Sequence, residues 1–214
     1  MDLLAKFLDL LVHLDKHLLE IAREYGSGIY VFLFVIVFCE TGLVVTPFLP
    51  GDSLLFVAGT LAAGGVMNIH LLVAVLIVAA VAGDSFNFAI GRWLGPRVFR
   101  FEDSWFFKKA YIERTHQYFE RYGGRTIIIA RFVPIVRTYA PFVAGIGAME
   151  YRRFLLFNVI GAVVWVALIA YAGYLFGQVP IVQKNLTLVI LGIILLSISP
   201  AIIEVLRHKL KGAQ

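Results

Sequence analysis

The sequence predicts an all-α integral membrane protein, because it is unusually apolar, has apolar blocks of span length, and interrupts two of its blocks with prolines and charges. The chain has 214 residues, of which 60% are hydrophobic and 15% are charged. A soluble domain is about half apolar and about a quarter charged. The apolar excess is more than one water-soluble core could bury, so lipid must be the solvent for much of the chain.

Residues 1–27 have the spacing of an amphipathic helix. Leucines and other apolar residues recur every three or four positions, and acidic residues stand between them. The apolar region of a signal peptide would not tolerate those acids. We therefore expect this segment to form a helix that lies on the membrane surface with one apolar face in the lipid.

The following apolar blocks predict a membrane transport domain over residues 28–205, with a tail at 206–214. A helix needs about 20 apolar residues to cross the hydrocarbon core. The segments 69–90, 154–177 and 185–205 meet this length. We expect about three transmembrane helices there.

Two further blocks, 29–66 and 126–149, are interrupted. The first contains Glu40, Pro47, Pro50, Gly51 and Asp52, and the second contains Arg131, Pro134, Arg137 and Pro141. Two arginines on a lipid-facing helix would cost at least about 5 kcal/mol, and broken backbone at membrane depth persists only where protein or a water-filled cavity shields it. We therefore predict two re-entrant helical hairpins, shaped by Pro47, Pro50, Gly51, Pro134 and Pro141.

The basic segments predict the sidedness of these hairpins. Lysine and arginine cluster in a loop at 92–125, in the link at 150–153 and in the C-terminal tail, and such segments prefer the cytoplasm. If 126–149 crossed the membrane fully, Arg152 and Arg153 in the link would lie outside. If it re-enters and returns, all three basic segments and the C-terminus are cytoplasmic.

The order of a hairpin followed by a span occurs twice with opposite orientation, which predicts an inverted repeat. Both repeats end in a G-x-x-x-G motif, at 91–95 and at 173–177. Such glycines also let helices pack closely without any repeat. We expect close packing to be their direct role and the repeat to be the more informative feature.

The charges in the interrupted blocks are the candidate functional residues. The first hairpin carries Glu40 and Asp52. The second carries Arg131 and Arg137, so opposite charges face one another if the hairpins meet. The planar fork of arginine suits phosphate, and the helix start at Ser53 also favours an anion. Carboxylates removed from water can gain and lose protons near neutral pH, so we assign proton coupling to the two acids.

Asp84 adds a third acid, inside a predicted crossing helix, where an ionisable residue is a functional candidate by default. We assign it to proton coupling, and a structural pair with an arginine is the equal alternative. The other charges have structural interpretations too. Asp52 has the position of a helix N-cap, Glu40 could reach an interface, and the arginines could simply neutralise the acids.

No metal or cofactor site is predicted. His13 and His17 stand at helical spacing but have no obvious carboxylate or cysteine partner. The net charge of +5 concentrates in loops, so it indicates topology rather than nucleic-acid binding. The hairpins contain no histidine and Ser53 has no visible activating base, so we expect no enzymatic reaction.

Two stretches resemble the signatures of the DedA family of bacterial inner-membrane proteins, also described as the VTT or SNARE-associated domain. The first runs from Phe48 to Leu55, after Glu40-Thr41-Gly42, and the second runs from Arg131 to Arg137. The resemblance covers nearly the whole chain. It implies a multi-pass protein of the inner membrane with a role in envelope homeostasis, and it implies essential roles for Glu40, Asp52, Arg131 and Arg137.

Some members of the family are similar to translocases that return undecaprenyl phosphate across the membrane, others act on phospholipids, and eukaryotic relatives resemble lipid scramblases. Together with the residues, this predicts a proton-coupled translocase of a lipid phosphate. Its partners would be that lipid, protons and the bilayer, and an oligomer is compatible with the sequence. The alternatives are a proton-coupled antiporter of cations or small cationic drugs, a scramblase without ion coupling, and a scaffold without transport.

Overall fold

A computed structural model describes residues 14–43, 51–98 and 124–180, together with residues 182, 185, 188, 189, 192 and 193. Within these residues the fold is entirely helical, as predicted, with seven helices and no strand. The helices are α1 (Leu14–Tyr25), α2 (Gly28–Gly42), α3 (Gly51–Ala63), α4 (Ile69–Val98), α5 (Arg125–Ala130), α6 (Pro134–Ile146) and α7 (Tyr151–Phe176).

Two helices are long and apolar enough to cross a membrane: α4 over Ile69–Gly95 and α7 over Tyr151–Phe176. Their 30 and 26 residues give lengths of about 45 and about 39 Å, against a hydrocarbon core of about 30 Å. They stand where spans were predicted at 69–90 and 154–177. The third predicted span, 185–205, and the tail at 206–214 lie almost wholly outside the described residues.

Helix α4 continues through residues that were predicted to open the basic loop at 92–125. Hydropathy marks where a chain leaves the lipid, but it does not end a helix, since the backbone hydrogen bonds can continue into water. Arg92 and Trp93 are therefore exposed residues of a helix rather than of a loop. The remainder of that loop, residues 99–123, lies outside the described residues.

The two interrupted blocks each contain a pair of helices that are too short to span. Helices α2 and α3 have 15 and 13 residues, and α5 and α6 have 6 and 13, so the longest reaches about 22 Å. Residues 44–50, with Pro47 and Pro50, lie outside the described residues, and Gly51 begins α3. The second block is thus broken where the sequence predicts, between α5 and α6.

The described residues divide into two compact units. The first contains α1, the start of α2 to Leu33, α3, the start of α4 to Val75, and α7 from Val166 onward. In it α1 contacts α3. Leu18 and Ala22 of α1 are buried, so part of the apolar face predicted for residues 1–27 packs against protein.

Close backbone contact joins α3 to α7 within the first unit. A Cβ on Gly59 would overlap the carbonyl oxygen of Ala170, and a Cβ on Gly173 would overlap that of Phe56. The Thr60 hydroxyl also donates to the Gly173 carbonyl, at 3.3 Å. Because glycine lacks a Cβ, the two helix backbones approach to a distance that no other residue would permit.

The second unit contains α2 from Phe34, α4 from Leu76, α5, α6, and α7 to Trp165. It repeats the same device: a Cβ on Gly91 would overlap the carbonyl oxygen of Phe142, and a Cβ on Gly145 would overlap that of Phe88. Both glycine-bearing short helices carry the tetrapeptide Phe-Val-Ala-Gly, at 56–59 in α3 and at 142–145 in α6. The two units thus share one kind of helix contact, and each G-x-x-x-G motif packs a long helix against a short one.

The two arms of the second broken block contact different long helices within the second unit. Helix α5 runs beside α7, from Gly124 against Phe157 to Arg131 against Gly161. Helix α6 runs beside α4 and reaches Gly95 with its last residue, Ile146. The turn between the arms is thereby held against both long helices.

Candidate functional site

The chain between α5 and α6 positions both arginines of the second block. Arg131 is the C-cap of α5. Val133 is extended, with φ −116° and ψ 106°, as expected for a residue that precedes proline. Pro134 is the first residue of α6, where its missing N–H costs nothing. The break therefore lies between Arg131 and Arg137 and gives each arginine its own arm.

Arg137 pairs with Glu40. Its Nη2 donates to Glu40 Oε1 at 2.7 Å, and the two side chains are 7% and 3% exposed. Glu40 lies near the end of α2 and Arg137 lies in the first half of α6. The pair therefore joins the two interrupted blocks inside the second unit, as the predicted facing of opposite charges requires.

Arg131 pairs with Asp84 of α4. Its Nη2 donates to Asp84 Oδ2 and also to Oδ1 of Asn158 on α7, at 2.5 Å. All three side chains are buried. The sequence offered Asp84 as either a proton-coupling residue or the structural partner of an arginine, and the structure gives it an arginine partner.

Trp165 lies beneath both arginines. The guanidinium carbon of Arg137 is 4.8 Å from the centre of its ring and that of Arg131 is 5.7 Å away. Trp165 is itself almost fully buried. The negative face of an indole stabilises a desolvated cation, so one ring holds two positive charges close together in a space from which water is largely excluded.

Asn87 ties the arms that carry the Glu40–Arg137 pair. Its Nδ2 donates to the carbonyl of Thr41, at 3.2 Å, and to the carbonyl of Thr138, at 2.8 Å. Each threonine follows one member of the ion pair in sequence. A single fully buried amide on α4 thus fixes the separation of α2 and α6 at the point where their charges meet.

Asn158 has the matching role for Arg131. While its Oδ1 accepts from the arginine, its Nδ2 donates to the carbonyl of Val81 on α4, at 3.2 Å. The amide therefore links α7 to α4 one turn before Asp84. Arg131 is held between a carboxylate and an amide whose positions depend on the same stretch of α4.

Three buried atoms of this cluster have no hydrogen-bond partner among the described residues: Asp84 Oδ1, Asn87 Oδ1 and Arg131 Nη1. Buried polar atoms are normally satisfied by protein or by ordered water. Two of the three are acceptors and one is a donor. The cluster therefore has unused capacity for water, for a proton on Asp84, or for an oxygen of a bound anion on Arg131.

Charge within the cluster balances, since two arginines face two carboxylates. A buried ion pair is costly to break from one side, because the remaining charge is left without compensation. An anion that replaced either carboxylate would keep the arginine satisfied only if that carboxylate were neutralised.

Asp52, Ser53 and Pro141 are further predicted site residues that the structure describes. Asp52 and Ser53 stand in the first turn of α3, in the first unit, where Asp52 is partly buried and Ser53 is fully buried. Pro141 lies inside α6, where a proline cannot donate the helix bond to the carbonyl four residues earlier and bends the helix. That carbonyl belongs to Arg137, so Pro141 shapes the arm at the level of the ion pair.

The sequence analysis assigned no role to Asn87 or to Asn158. A detectable signal was present, since both are isolated amides inside predicted spans, and a polar residue at such a position marks an interior contact. Trp165 gave no such signal, because a tryptophan in an apolar helix is ordinary. Its role follows only from the two cations that lie over it.

The matching family is the VTT domain, over residues 43–175. The chain is 55% identical over 216 aligned residues to Protein DedA of Escherichia coli strain K12, an alignment that covers 100% of this chain and 99% of that protein. It is 45% identical over 185 residues to an uncharacterized membrane protein of Mycobacterium tuberculosis, with coverage of 86% and 81%. It is 36% identical over 186 residues to Inner membrane protein YqjA of Escherichia coli, with coverage of 86% and 83%.

No solved structure matches the chain. The VTT match nevertheless spans more than half of the sequence, and the similarity to Protein DedA extends from end to end. On these grounds, the chain belongs to the DedA family of VTT-domain membrane proteins.

Proposed function

We propose that this chain is a transporter of the inner membrane that moves a lipid phosphate between leaflets and couples the movement to protons. The observation that carries the proposal is the pair of buried arginines at a helix break, each joined to one carboxylate. A site that had to hold only a structural ion pair would need neither the break nor two cations over one indole ring.

The guanidinium groups supply the affinity for phosphate. Each presents a planar set of donors that matches two oxygens of a phosphate group, and Arg131 Nη1 has no partner among the described residues. In the first unit, Ser53 at the buried start of α3 is proposed to bind phosphate in its own right, because helix N-termini favour anions.

The carboxylates supply the coupling. Protonation of Glu40 weakens its hold on Arg137, and protonation of Asp84 weakens its hold on Arg131, so each proton frees an arginine for the headgroup. Lipid phosphate and protons would then enter the site together and leave together. Asp52 is proposed as a third proton-coupling group, on its position at the start of α3.

The proposed topology places the end of α4 and the start of α7 at the cytoplasmic face. Two features support it. The rings of Phe88 and Tyr151 are 5.7 Å apart, so within the second unit the chain returns, after 125–146, to the end of α4. Arg152 and Arg153 follow directly and are exposed, as the preference of basic residues for the cytoplasm requires. In this proposal α5 and α6 form a re-entrant hairpin and the C-terminus is cytoplasmic.

Purified protein in liposomes with a pH gradient tests the function, with undecaprenyl phosphate and phosphatidylethanolamine scored separately. We expect a lower pH on the loading side to increase the rate at which the lipid phosphate moves between leaflets. Arg131→Lys and Arg137→Lys should each slow it by about tenfold or more, since a hydrogen bond to a charged group is worth about 1.5–3 kcal/mol. Arg125→Lys is the matched control, because it changes an exposed arginine at the start of α5.

Two outcomes would replace the proposal. If lipid moved at the full rate in both arginine variants, the proposed phosphate site would be wrong. If the rate did not depend on the pH gradient, the protein would be a scramblase without ion coupling. The antiporter of cations is favoured by one observation: Asp84 Oδ1 has no partner among the described residues and could accept a cation. Proton-driven efflux of a cationic dye, lost in Asp84→Asn and kept in both lysine variants, would establish it.

We further propose that no covalent reaction accompanies transport. The described part of the second unit holds no histidine, and phosphate transfer to water needs an activated nucleophile. Incubation of the purified protein with undecaprenyl phosphate should release no inorganic phosphate. Release above that of the Arg131→Lys variant would identify a lipid phosphatase instead.

A further inference from the structure

A groove of about 370 Å³ opens on the second unit where α4 leaves its apolar stretch and α7 begins. It shares no residue with the buried charge cluster. Its lining combines aromatic and small apolar side chains with one arginine, namely Phe88, Ala89, Arg92, Trp93 and Tyr151. A groove with this composition can receive a molecule that is apolar along its length and anionic at one end.

The floor of the groove is rigid. Phe88 is almost fully buried, and its ring stacks on that of Phe154 with centroids 4.4 Å apart and planes 22° apart. The ring of Tyr151 leans on both of them. In addition, Gly145 of α6 lies against the carbonyl of Phe88, so the helix beneath cannot shift without a clash. The apolar surface is therefore preformed and would not need to be ordered by a ligand.

The walls are exposed. Trp93 is 60% exposed and Tyr151 is 41% exposed. Amphipathic rings of this kind are typical of the level at which lipid headgroups meet hydrocarbon, and α4 remains apolar only as far as Gly95. These features are the ones expected of a groove at the membrane interface, with its apolar floor toward the lipid chains and its arginine toward the headgroups.

The charged side chain in the groove lining is basic. Arg92 lies on the rim and is exposed, and its guanidinium group favours an anion. Arg152 and Arg153 follow Tyr151 in sequence and are exposed, as is the acid Glu150 before it. The apolar floor argues against free inorganic phosphate as the occupant, and Arg92 argues against an ordinary neutral lipid.

We infer that this groove is an interfacial binding site for a single lipid with a phosphate headgroup, where Arg92 holds the phosphate and the Phe88–Tyr151 surface holds the first part of the chain. The inference rests on the proposed function, since it names a leaflet-level station for the same lipid class that the buried cluster would move. The lipid would load or leave here, beside the helix α4 that carries Asp84 and Asn87.

Photolabelling in nanodiscs tests this site directly. The probe is a polyprenyl phosphate with a diazirine on its first isoprene unit, and the labelled residues are read by mass spectrometry. We expect labels on the segments 88–93 and 151–154. Arg92→Gln should reduce this labelling by about tenfold, the size expected for one lost hydrogen bond to a charged group. Trp93→Ala should reduce it as well.

Matched variants separate the groove from general lipid contact. Phe86→Ala removes an exposed ring on the same helix outside the groove, and Arg125→Gln removes an exposed arginine elsewhere in the same unit. Both should label like the unaltered protein. A neutral polyprenol probe should label the groove weakly and to the same extent with or without Arg92. Millimolar inorganic phosphate should not compete.

Several outcomes would overturn the inference. Equal labelling by the neutral probe, or full labelling in Arg92→Gln, would make the groove an ordinary lipid-facing surface. Full competition by inorganic phosphate would make it a phosphate site rather than a lipid site. Lipid transport is scored in parallel: specific labelling without any transport would contradict the proposed function alone, whereas transport without specific labelling would contradict this inference alone.

Discussion

At the scale of single residues, the buried amide of Asn87 alone sets the distance between the two arms that carry Glu40 and Arg137. Its two hydrogen bonds end on carbonyls adjacent to Glu40 and Arg137. No other residue type of that size donates two bonds from one atom. The ion pair therefore depends on a residue that carries no charge.

We expect Asn87→Asp to lower the free energy of unfolding by about 1–2 kcal/mol and to slow lipid movement by a larger factor than that loss explains. The variant keeps the size of the side chain but replaces the donating amide nitrogen with a carboxylate oxygen, which cannot donate to the two carbonyls that it faces. Ser85→Ala, which removes a hydroxyl bonded only within α4, is the control. Transport at the control rate would show that the amide has no positioning role.

The Arg137–Glu40 pair makes a second prediction at this scale. Removal of one partner from a buried pair costs about 3–5 kcal/mol, because the other charge is stranded. Arg137→Gln and Glu40→Gln should therefore each destabilise the protein strongly, and the double variant should be more stable than either. A double-mutant cycle by unfolding in mixed micelles measures this coupling.

The exposed His17–Glu20 contact, at 3.9 Å, provides the reference cycle, where coupling should stay below about 1 kcal/mol. Additive effects at Glu40 and Arg137 would mean that the two charges do not depend on each other.

The sequence identified the charged residues at this scale because a charge in an apolar block is conspicuous. It could not identify their pairing, since Glu40 and Arg137 are 97 positions apart and three acids competed for two arginines. Asp84 lies in the long helix α4, and its arginine partner was one of two open alternatives. The role of Asn158 was not predicted, because an amide carries no charge that requires a partner. Its hydrogen bonds are made to residues far away in sequence.

At the scale of elements, the Phe-Val-Ala-Gly helices α3 and α6 share one mode of packing. Gly59 and Gly145 each place backbone against backbone of a long helix. Gly59→Ala and Gly145→Ala should each lower stability by about 1–3 kcal/mol, the range for overpacked contacts. Gly192→Ala, where a Cβ meets nothing within 4 Å, should be neutral or slightly stabilising.

Thermal unfolding in detergent measures these three variants side by side. Equal midpoints for Gly145→Ala and Gly192→Ala would contradict the close approach of α6 and α4.

The break between α5 and α6 was predictable from Pro134, and so were the short helices of both interrupted blocks. The end of α4 was not predictable, because hydropathy follows the lipid and not the hydrogen bonds of the helix. The repeated tetrapeptide is visible in the sequence. Its backbone contacts are not, since a glycine in an apolar helix does not indicate which helix packs against it.

At the scale of the whole molecule, the sequence predicts sidedness from basic residues alone, and that prediction is open to a direct test. Cys39 is the only cysteine, so Cys39→Ser gives a background in which one new cysteine reports one position. Arg153→Cys places the reporter after the start of α7, at an exposed site. Val66→Cys places another just before α4, also exposed.

In the proposed topology α4 crosses the bilayer once, so its two ends would lie on opposite sides, and the start of α7 lies beside the end of α4. A membrane-impermeant maleimide should therefore label Arg153→Cys in inverted vesicles and not in intact spheroplasts, and should label Val66→Cys in the opposite pattern. Protease-sensitive periplasmic and cytoplasmic markers check that each preparation is sealed. Labelling of both cysteines from one side would show that α4 does not cross the membrane. Labelling of Arg153→Cys from outside and Val66→Cys from inside would keep the span and invert the whole topology, so that the lipid groove would face the outer leaflet.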